Sequence, residues 1–363
     1  MDFGHVSEPL RQAILEAIAE VVKTATFVNG PVVEAFEHDF AAYCGTELCV
    51  GTASGLDALR LGLLAAGLEP EAEVVVPAQT FIATWEAVTQ AGGIPVPVDI
   101  SESDYALDVD HAADVIGPRT QFVLPVHLYG QVADMAGVRE LARRHGLLVI
   151  EDACQAHGAT RDDYRAGSQG YAAGFSFYPT KNLGAFGDAG ALVTNDGGLA
   201  ERARALREHG QRRKYDHEVV GYTARLDAVQ AAVLARKLPH LDDWNASRGA
   251  AARYYYESLA GVGDLKLPPT VAGSEPAWHV YVVRTADPGR LADHLAATGI
   301  ASGRHYPQPP HLSPSYASLG LRRGAFPVAE ALADEGLSLP IFPGITEAQL
   351  ASVVVAIRDY FDG

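Results

Sequence analysis

Short apolar runs alternating with amphipathic helical stretches constrain this chain more than any other feature. Leu48 to Gly51, Glu73 to Pro77, Ile94 to Val98, Gln121 to Val126 and Gly146 to Asp152 each read as a strand. Helical patterns separate them at Leu56 to Ala66, about Phe81 to Ala91 and near Val109 to Ile116. Strands that alternate with helices imply a mostly parallel sheet covered on both faces, an α/β fold. Two helices precede the first strand. One starts at Ser7-Glu8-Pro9 with Leu10, Ile14, Ala17, Ile18 and Val21 on one face, and the other opens at Pro31 and ends at about Tyr43, ahead of Gly45.

Chemistry gathers where such strands end. The run ending Val149-Ile150-Glu151-Asp152 has the character of a fully buried parallel strand, and functional side chains of open α/β sheets collect at the carboxyl ends. About thirty residues on, the run Ala173 to Tyr178 delivers Lys181 into a glycine-rich turn, and another strand-like run, Ala191 to Thr194, follows. A lysine held between buried strands is desolvated, which lowers its pKa and makes it a candidate imine-forming amine. Taken singly, Lys181 could snorkel to the surface and Asp152 could cap a helix. Together, a strand-end aspartate and a strand-flanked lysine are the two groups a pyridoxal 5'-phosphate (PLP) site needs, one for the ring nitrogen and one for the carbonyl carbon.

Gly51-Thr52-Ala53-Ser54-Gly55 joins a strand to a helix start, where unpaired N–H groups and the helix dipole suit a phosphate. Phe81 follows a strand end and could pack in the core or stack on a flat cofactor. His127 and Tyr129 follow the Val126 strand end, where a structural loop role is favoured. From Leu199 to Lys214 a helix and its exit carry Arg202, Arg204, Arg207, Arg212, Arg213 and Lys214, candidate contacts to a diphosphate in an otherwise acidic chain.

That acidity is marked: 28 basic against 45 acidic residues give a net charge of −17. It argues against nucleic acid or an anionic membrane as a partner. Cys44, Cys49 and Cys154 are odd in number and lack metal-ligand spacing, which reads as a reducing compartment. Met1 to His5 offers neither a basic nor a long apolar leader segment, so a cytoplasmic location is expected. At 363 residues two domains are expected. The boundary is placed at 239/240, where Pro239 interrupts the helical region Ala228 to Leu238 and a second helix runs on to about Ala260. Residues 240–363 then hold a strand at Trp278 to Arg284, helices at Leu291 to Thr298, Val328 to Glu335 and Thr346 to Tyr360, and the proline-rich loop His305 to His311.

Seven segments in order resemble the DegT/DnrJ/EryC1/StrS family of sugar aminotransferases: Val28 to Pro31, Gly51 to Leu59, Pro77 to Phe81, Glu151 to Ala156, Ser176 to Gly184, Gly221 to Asp227 and His305 to Pro307. The resemblance covers nearly the whole chain. It implies an aspartate-aminotransferase-like fold (PLP fold type I) with a smaller C-terminal α+β domain, and transfer of an amine from L-glutamate to a nucleotide-linked keto sugar. It implies that Lys181 holds PLP covalently, with pyridoxamine 5'-phosphate as the amine-carrying form. Asp152 would pair with the ring nitrogen, Gln155 would bond the ring hydroxyl side, Phe81 would stack on the ring, and Ala53, Ser54 and Ser176 would hold the phosphate. Tyr178, Arg225, His305 and Tyr306 are candidate substrate contacts. Tyr178 stands where many relatives have histidine. Thr223 stands where many have the asparagine that a neighbouring subunit supplies to the cofactor phosphate, in a homodimer with sites at the subunit boundary. Related sugar dehydratases on the same scaffold carry histidine in place of the lysine, and Lys181 argues against that activity. A keto-inositol acceptor and a non-catalytic regulator are the remaining alternatives.

Overall fold

Val74, Val75 and Val76 set the plan of the molecule. Their side chains alternate across a strand, so Val75 joins one buried apolar cluster with Phe36, Phe40, Val123 and Val149, while Val74 and Val76 join another with Leu59, Trp85, Phe122 and Ile150. A sheet buried on both faces follows. In the computed structural model, which describes residues 8–363, that sheet has seven strands: β1 (Leu48–Thr52), β2 (Glu73–Pro77), β3 (Ile94–Val98), β4 (Thr120–Val123), β5 (Leu148–Asp152), β6 (Ala172–Ser176) and β7 (Gly190–Thr194). The order is β1-β7-β6-β5-β4-β2-β3, and β7 alone runs antiparallel to its neighbours. The structure is thus an α/β fold with a mostly parallel sheet covered by helices.

Because β7 is reversed, its first residue lies at the same edge as the last residues of the parallel strands. Thr52 and Ser176 both pair with Gly190, and Asp152 pairs with Gly174 and bridges to Val126. This edge carries the site.

The helices follow the sequence closely, with Pro31–Cys44 closed by Gly45 at φ 74° and Gly55–Ala65 capped by Ser54. The first helix runs Arg11–Thr24, and Ser7, its expected start, lies outside the described residues. Two expectations are corrected. Strand β4 stops at Val123 instead of Val126, since Pro125 has no N–H to continue the ladder. The strand expected from Trp278 begins at Tyr281, because Trp278 sits at φ 46°, outside extended space. The helix after β7 is Gly197–Arg207, and its exit carries Arg212, Arg213 and Lys214. His209 and Gly210, both at positive φ, turn the chain into a small exposed hairpin, Gln211–Arg213 with Asp216–His217.

A third apolar cluster is built wholly from residues 251–357. It sits between helices Leu241–Leu259, Pro288–Ala297 and Glu347–Asp362 and a strand pair, β8 (Tyr281–Arg284) with β9 (Gly336–Leu339). Helix Pro327–Glu335 packs back toward the large sheet, with the carboxylate of Asp99 at the end of β3 accepting from Val328 and Ala329 N–H.

Candidate active site

Asp152 ends β5 with its carboxylate buried. Oδ2 accepts from Thr84 Oγ1 at 2.7 Å and Oδ1 from Cys154 N at 3.1 Å. Thr84 is itself fixed by Thr80, 2.7 Å away and one helical turn earlier. Chain turn, not helix, follows Asp152. The carboxylate is therefore no helix cap, and two bonds aim it from below.

Lys181 lies in the turn between β6 and β7, half-buried. Loss of water around its amine lowers the pKa below 10.5, against the opposing pull of Cys154 and Asp152 nearby. The turn is tightly determined. Lys181 N donates to Tyr178 O, Ala185 N to Phe177 O and Phe177 N to Ala189 O, and any Cβ at Gly184 would collide with the Pro179 backbone. Gln230 Oε1 accepts from Phe186 N at 2.8 Å, and Lys237 Nζ donates to Gly184 O at 2.7 Å. Burial also lowers the Lys237 amine, to about 8, but that amine is committed to the Gly184 carbonyl.

Beside the lysine lies an anion cradle. Helix Gly55–Ala65 starts at the sheet edge, with Asp57 N satisfied by Ser54 Oγ and Ala58 N by Ser54 O. The N–H groups of Gly55 and Leu56 open the helix without intrahelical partners. Close approach requires glycine here. A Cβ on Gly55 would lie 2.7 Å from both Ser176 Cβ and Cys154 Sγ, and one on Gly190 would overlap the Ser54 carbonyl. Ser176, Ser54 and Gly55 are thereby brought together. Ala53 is engaged elsewhere through its N–H, which donates to Ala224 O at 3.1 Å.

The wall opposite is polar and aromatic. Gln155 Oε1 accepts from Tyr129 N at 2.7 Å and its Nε2 reaches the Tyr306 hydroxyl at 2.9 Å. Tyr129 OH donates to His305 O, and Gln79 Nε2 to Tyr306 O at 3.3 Å. His305 Nδ1 lies 2.7 Å from Ser338 Oγ. Burial, then the nearby Lys181, holds the His305 imidazole below its usual pKa. Phe81 is half exposed, its ring centroid 5.3 Å from that of Tyr306, and so presents a free aromatic face.

Other expected contacts stand differently. Arg225 forms an ion pair with Glu208 at 2.7 Å. Thr223 is exposed, and its hydroxyl lies 3.2 Å from His209 Nε2. Tyr178 turns outward and is 51% exposed. Much of the basic cluster is structural: Arg202, Arg204 and Arg207 donate to the carbonyls of Ala65, Cys49 and Gly51, and Arg212 pairs with Glu218. Arg213 and Lys214 remain exposed in the hairpin. His127 is fully buried, bonded to Glu151 at 2.7 Å and to Ala133 N at 3.2 Å, a structural residue as favoured.

Sequence reading missed Thr84, Gln79, Asn182 and His279. Thr84 had one available signal, its i,i+4 spacing from Thr80 after the β2 strand end. The others become visible only through contacts distant in sequence. Among the described residues, no group of His, Cys, Asp and Glu is arranged to hold a metal, and no helix is long and apolar enough to cross a membrane.

Comparison with known proteins sharpens the picture. The DegT/DnrJ/EryC1/StrS aminotransferase family matches residues 9–358. A relative from Streptomyces venezuelae, dTDP-3-amino-3,4,6-trideoxy-alpha-D-glucose transaminase, is 48% identical over 99% of this chain and 95% of its own. The crystal structure of S. venezuelae DesV in complex with a ketimine intermediate superposes with a TM-score of 0.97 at 48% identity, covering 100% of this chain and 98% of that one. NtdA from Bacillus subtilis, solved with bound cofactor PMP, is 31% identical with a TM-score of 0.93 over 100% of this chain and 85% of its own.

Proposed function

The chain belongs to the DegT/DnrJ/EryC1/StrS aminotransferase family and is a PLP-dependent sugar aminotransferase, and from that premise we propose that it moves the amino group of L-glutamate to the C-3 ketone of a dTDP-linked keto-deoxysugar. The dTDP-3-amino sugar in the name of the S. venezuelae relative supports the nucleotide and the position. One observation carries the reading at this site: the desolvated Lys181 amine shares a sheet edge with the doubly anchored Asp152 carboxylate.

The donor set fits the cofactor. An amine of lowered pKa, a fixed carboxylate, a hydroxyl pair and the open N–H groups of a helix start are the four attachments that PLP requires. We assign Lys181 to the covalent link, Asp152 to the ring nitrogen, Gln155 to the hydroxyl side, Phe81 to the ring face, and Ser54, Ser176 and the turn at Ala53 to the phosphate. When bound, the cofactor supplies an electron sink beside the carbon that loses its proton.

The chain's own groups do the rest. Lys181 Nζ, kept from full hydration, is a base that can accept the proton from the substrate carbon and return it as an acid. Thr84 and Cys154 N hold the Asp152 oxygens in place, so the carboxylate keeps its charge directed into the site. Tyr306, with its hydroxyl on Gln155, and His305 close the side facing residues 305–311 and exclude water there.

The same reading includes a cytoplasmic homodimer. Val219 and Val220 in the hairpin segment are 53% and 91% exposed, and Phe27, Val28 and Phe186 are about half exposed near helix Ala228–Lys237. An apolar surface of this kind, beside the site, suits a second copy of the chain. Arg213 and Lys214 would then meet the diphosphate of the neighbouring site, and Thr223 with His209 would face the partner's cofactor phosphate. Residues 1–239 form the PLP-binding domain in this reading and residues 240–363 the small one. The test is product analysis of the purified protein with L-glutamate and a panel of nucleotide keto sugars. A 3-amino dTDP-sugar is the expected product. Amination of a keto-inositol with none of any nucleotide sugar would overturn the substrate assignment.

A further inference from the structure

The residue after the lysine does not face the cofactor edge. Asn182 is 4% exposed and its amide is fully engaged: Nδ2 donates to Asn245 Oδ1 at 2.8 Å and to Ala277 O at 2.7 Å, and Oδ1 lies 3.2 Å from His279 Nδ1. A carbonyl can only accept, so the amide orientation is fixed by Ala277. Burial, then the nearby Lys181 and Arg248, holds the His279 imidazole well below its usual pKa. The ring is neutral, with its proton on Nδ1 donated to Asn182.

All three partners come from residues beyond 240, whereas the lysine turn grows from the large sheet. Asn245 lies on helix Leu241–Leu259 and donates onward to His157 O at 2.7 Å. Arg248, one turn further along, donates to the carbonyls of Trp278, His279 and Ile341. His279 N donates to Tyr129 O, and Tyr129 N to Gln155. The other side of the turn is held by Lys237 and Gln230 of the large part. The lysine turn is thus tied to the C-terminal part through the Asn182 side chain and to the large part through its own backbone.

We propose that Asn182 is a positioning residue for Lys181: its three hydrogen bonds to the C-terminal part set where the lysine amine lies relative to the Asp152 carboxylate. The proposal rests on the assignment of Lys181 above. A displacement of about 1 Å at a reacting group can change a rate ~100-fold, and supporting hydrogen bonds are what hold such a group within tolerance. A purely architectural Asn182 would satisfy buried carbonyls and contribute only to stability.

The experiment compares the purified holoenzyme with its Asn182→Ala and Asn245→Ala variants by pH titration of the absorbance of the lysine-bound cofactor, alongside thermal melting. Desolvation disfavours the charged form of the lysine-linked nitrogen. Loosening the turn admits water and moves the midpoint upward, by about one pH unit for Asn182→Ala. A smaller shift of the same sign is expected for Asn245→Ala, which keeps the Ala277 and His279 contacts. A lowered melting temperature with a wild-type midpoint overturns the proposal. Should Asn182→Ala fail to fold, Asn245→Ala decides by the same criterion, a shifted midpoint supporting and an unshifted one overturning. Wild-type protein whose borohydride-reduced cofactor is not on Lys181 overturns the underlying assignment and this proposal with it.

Discussion

The Thr84 hydroxyl donates a 2.7 Å hydrogen bond to Oδ2 of Asp152, and since its one proton points there, Thr80 must donate to Thr84 in turn. A relay of two threonines four residues apart thus aims the carboxylate. Thr84→Val keeps the volume and removes the donor. Hydrogen bonds to charged groups contribute about 1.5–3 kcal/mol to stability, so the thermal midpoint is expected to fall, and kcat to fall at least ~10-fold as the carboxylate loses its aim. Asp152→Asn, measured in the same assay, should cost more, ~100-fold or beyond, because the charge itself is gone. Equal rates for Asp152→Asn and wild type would mean that the carboxylate only shapes the turn at Cys154.

Two lysines with lowered pKa stand at the same turn, which makes their discrimination a sharp test. Lys181→Ala is expected to abolish transamination and the lysine-bound absorbance, since acid–base work alone contributes ~10²–10⁴-fold. Lys237→Met should retain both, for the Lys237 amine is held by Gly184 O. Peptide mapping after borohydride reduction reads the answer directly. An adduct on Lys237 would refute the assignment.

Glu151 precedes Asp152 and points to the opposite face. It is fully buried and accepts from His127 and from the N–H groups of Gly167, Gln169 and Gly170. Burial alone would raise its pKa, but the His127 contact and these N–H donors more than offset that and hold it below 4.5. A carboxylate with a depressed folded pKa contributes stability that is present above its unfolded pKa and lost as pH falls through the folded value. Wild-type protein should therefore lose stability progressively below about pH 4.5. Glu151→Gln turns an amide donor toward backbone donors, and is expected to cost about 2–4 kcal/mol at neutral pH with a flatter acid limb. Chemical denaturation across pH 3–7 measures both.

Val220 offers the most economical test of assembly. A side chain 91% exposed costs the monomer nothing when replaced, whereas a carboxylate in an apolar contact is expensive. Val220→Asp is expected to weaken dimerisation at least ~10-fold, or 1.4 kcal/mol, in sedimentation velocity at low protein concentration, and to reduce activity in parallel. A fully active monomeric wild type would rule out a shared site.

Much of this architecture was legible because it obeys local rules. β2 and β3 were bounded correctly from Val-rich runs closed by Pro77 and Val98, and Gly45 ended its helix where a left-handed residue was required. Lys181 and Asp152 were readable from strand ends. What stayed hidden depends on partners distant in sequence. Gly336–Leu339 has no β-branched residue and becomes a strand only through Tyr281–Arg284. Arg202, Arg204 and Arg207 read as free charge, yet their helix packs on β1 and spends those guanidinium groups on backbone carbonyls. Arg225 likewise meets Glu208 only in three dimensions.

The glycines at the sheet edge divide the molecule for anyone who would redesign it. Saturating positions 55 or 190 would force the helix start off the edge, since a single methyl already overlaps Ser54, Ser176 or Cys154. On the proposed reading, a library aimed at new sugars can leave that edge untouched and vary Tyr178 and the hairpin tip at Arg213 to Tyr215, all solvent-facing. On that reading acceptor range and cofactor retention fall to different stretches of chain, and selection can act on the first without eroding the second.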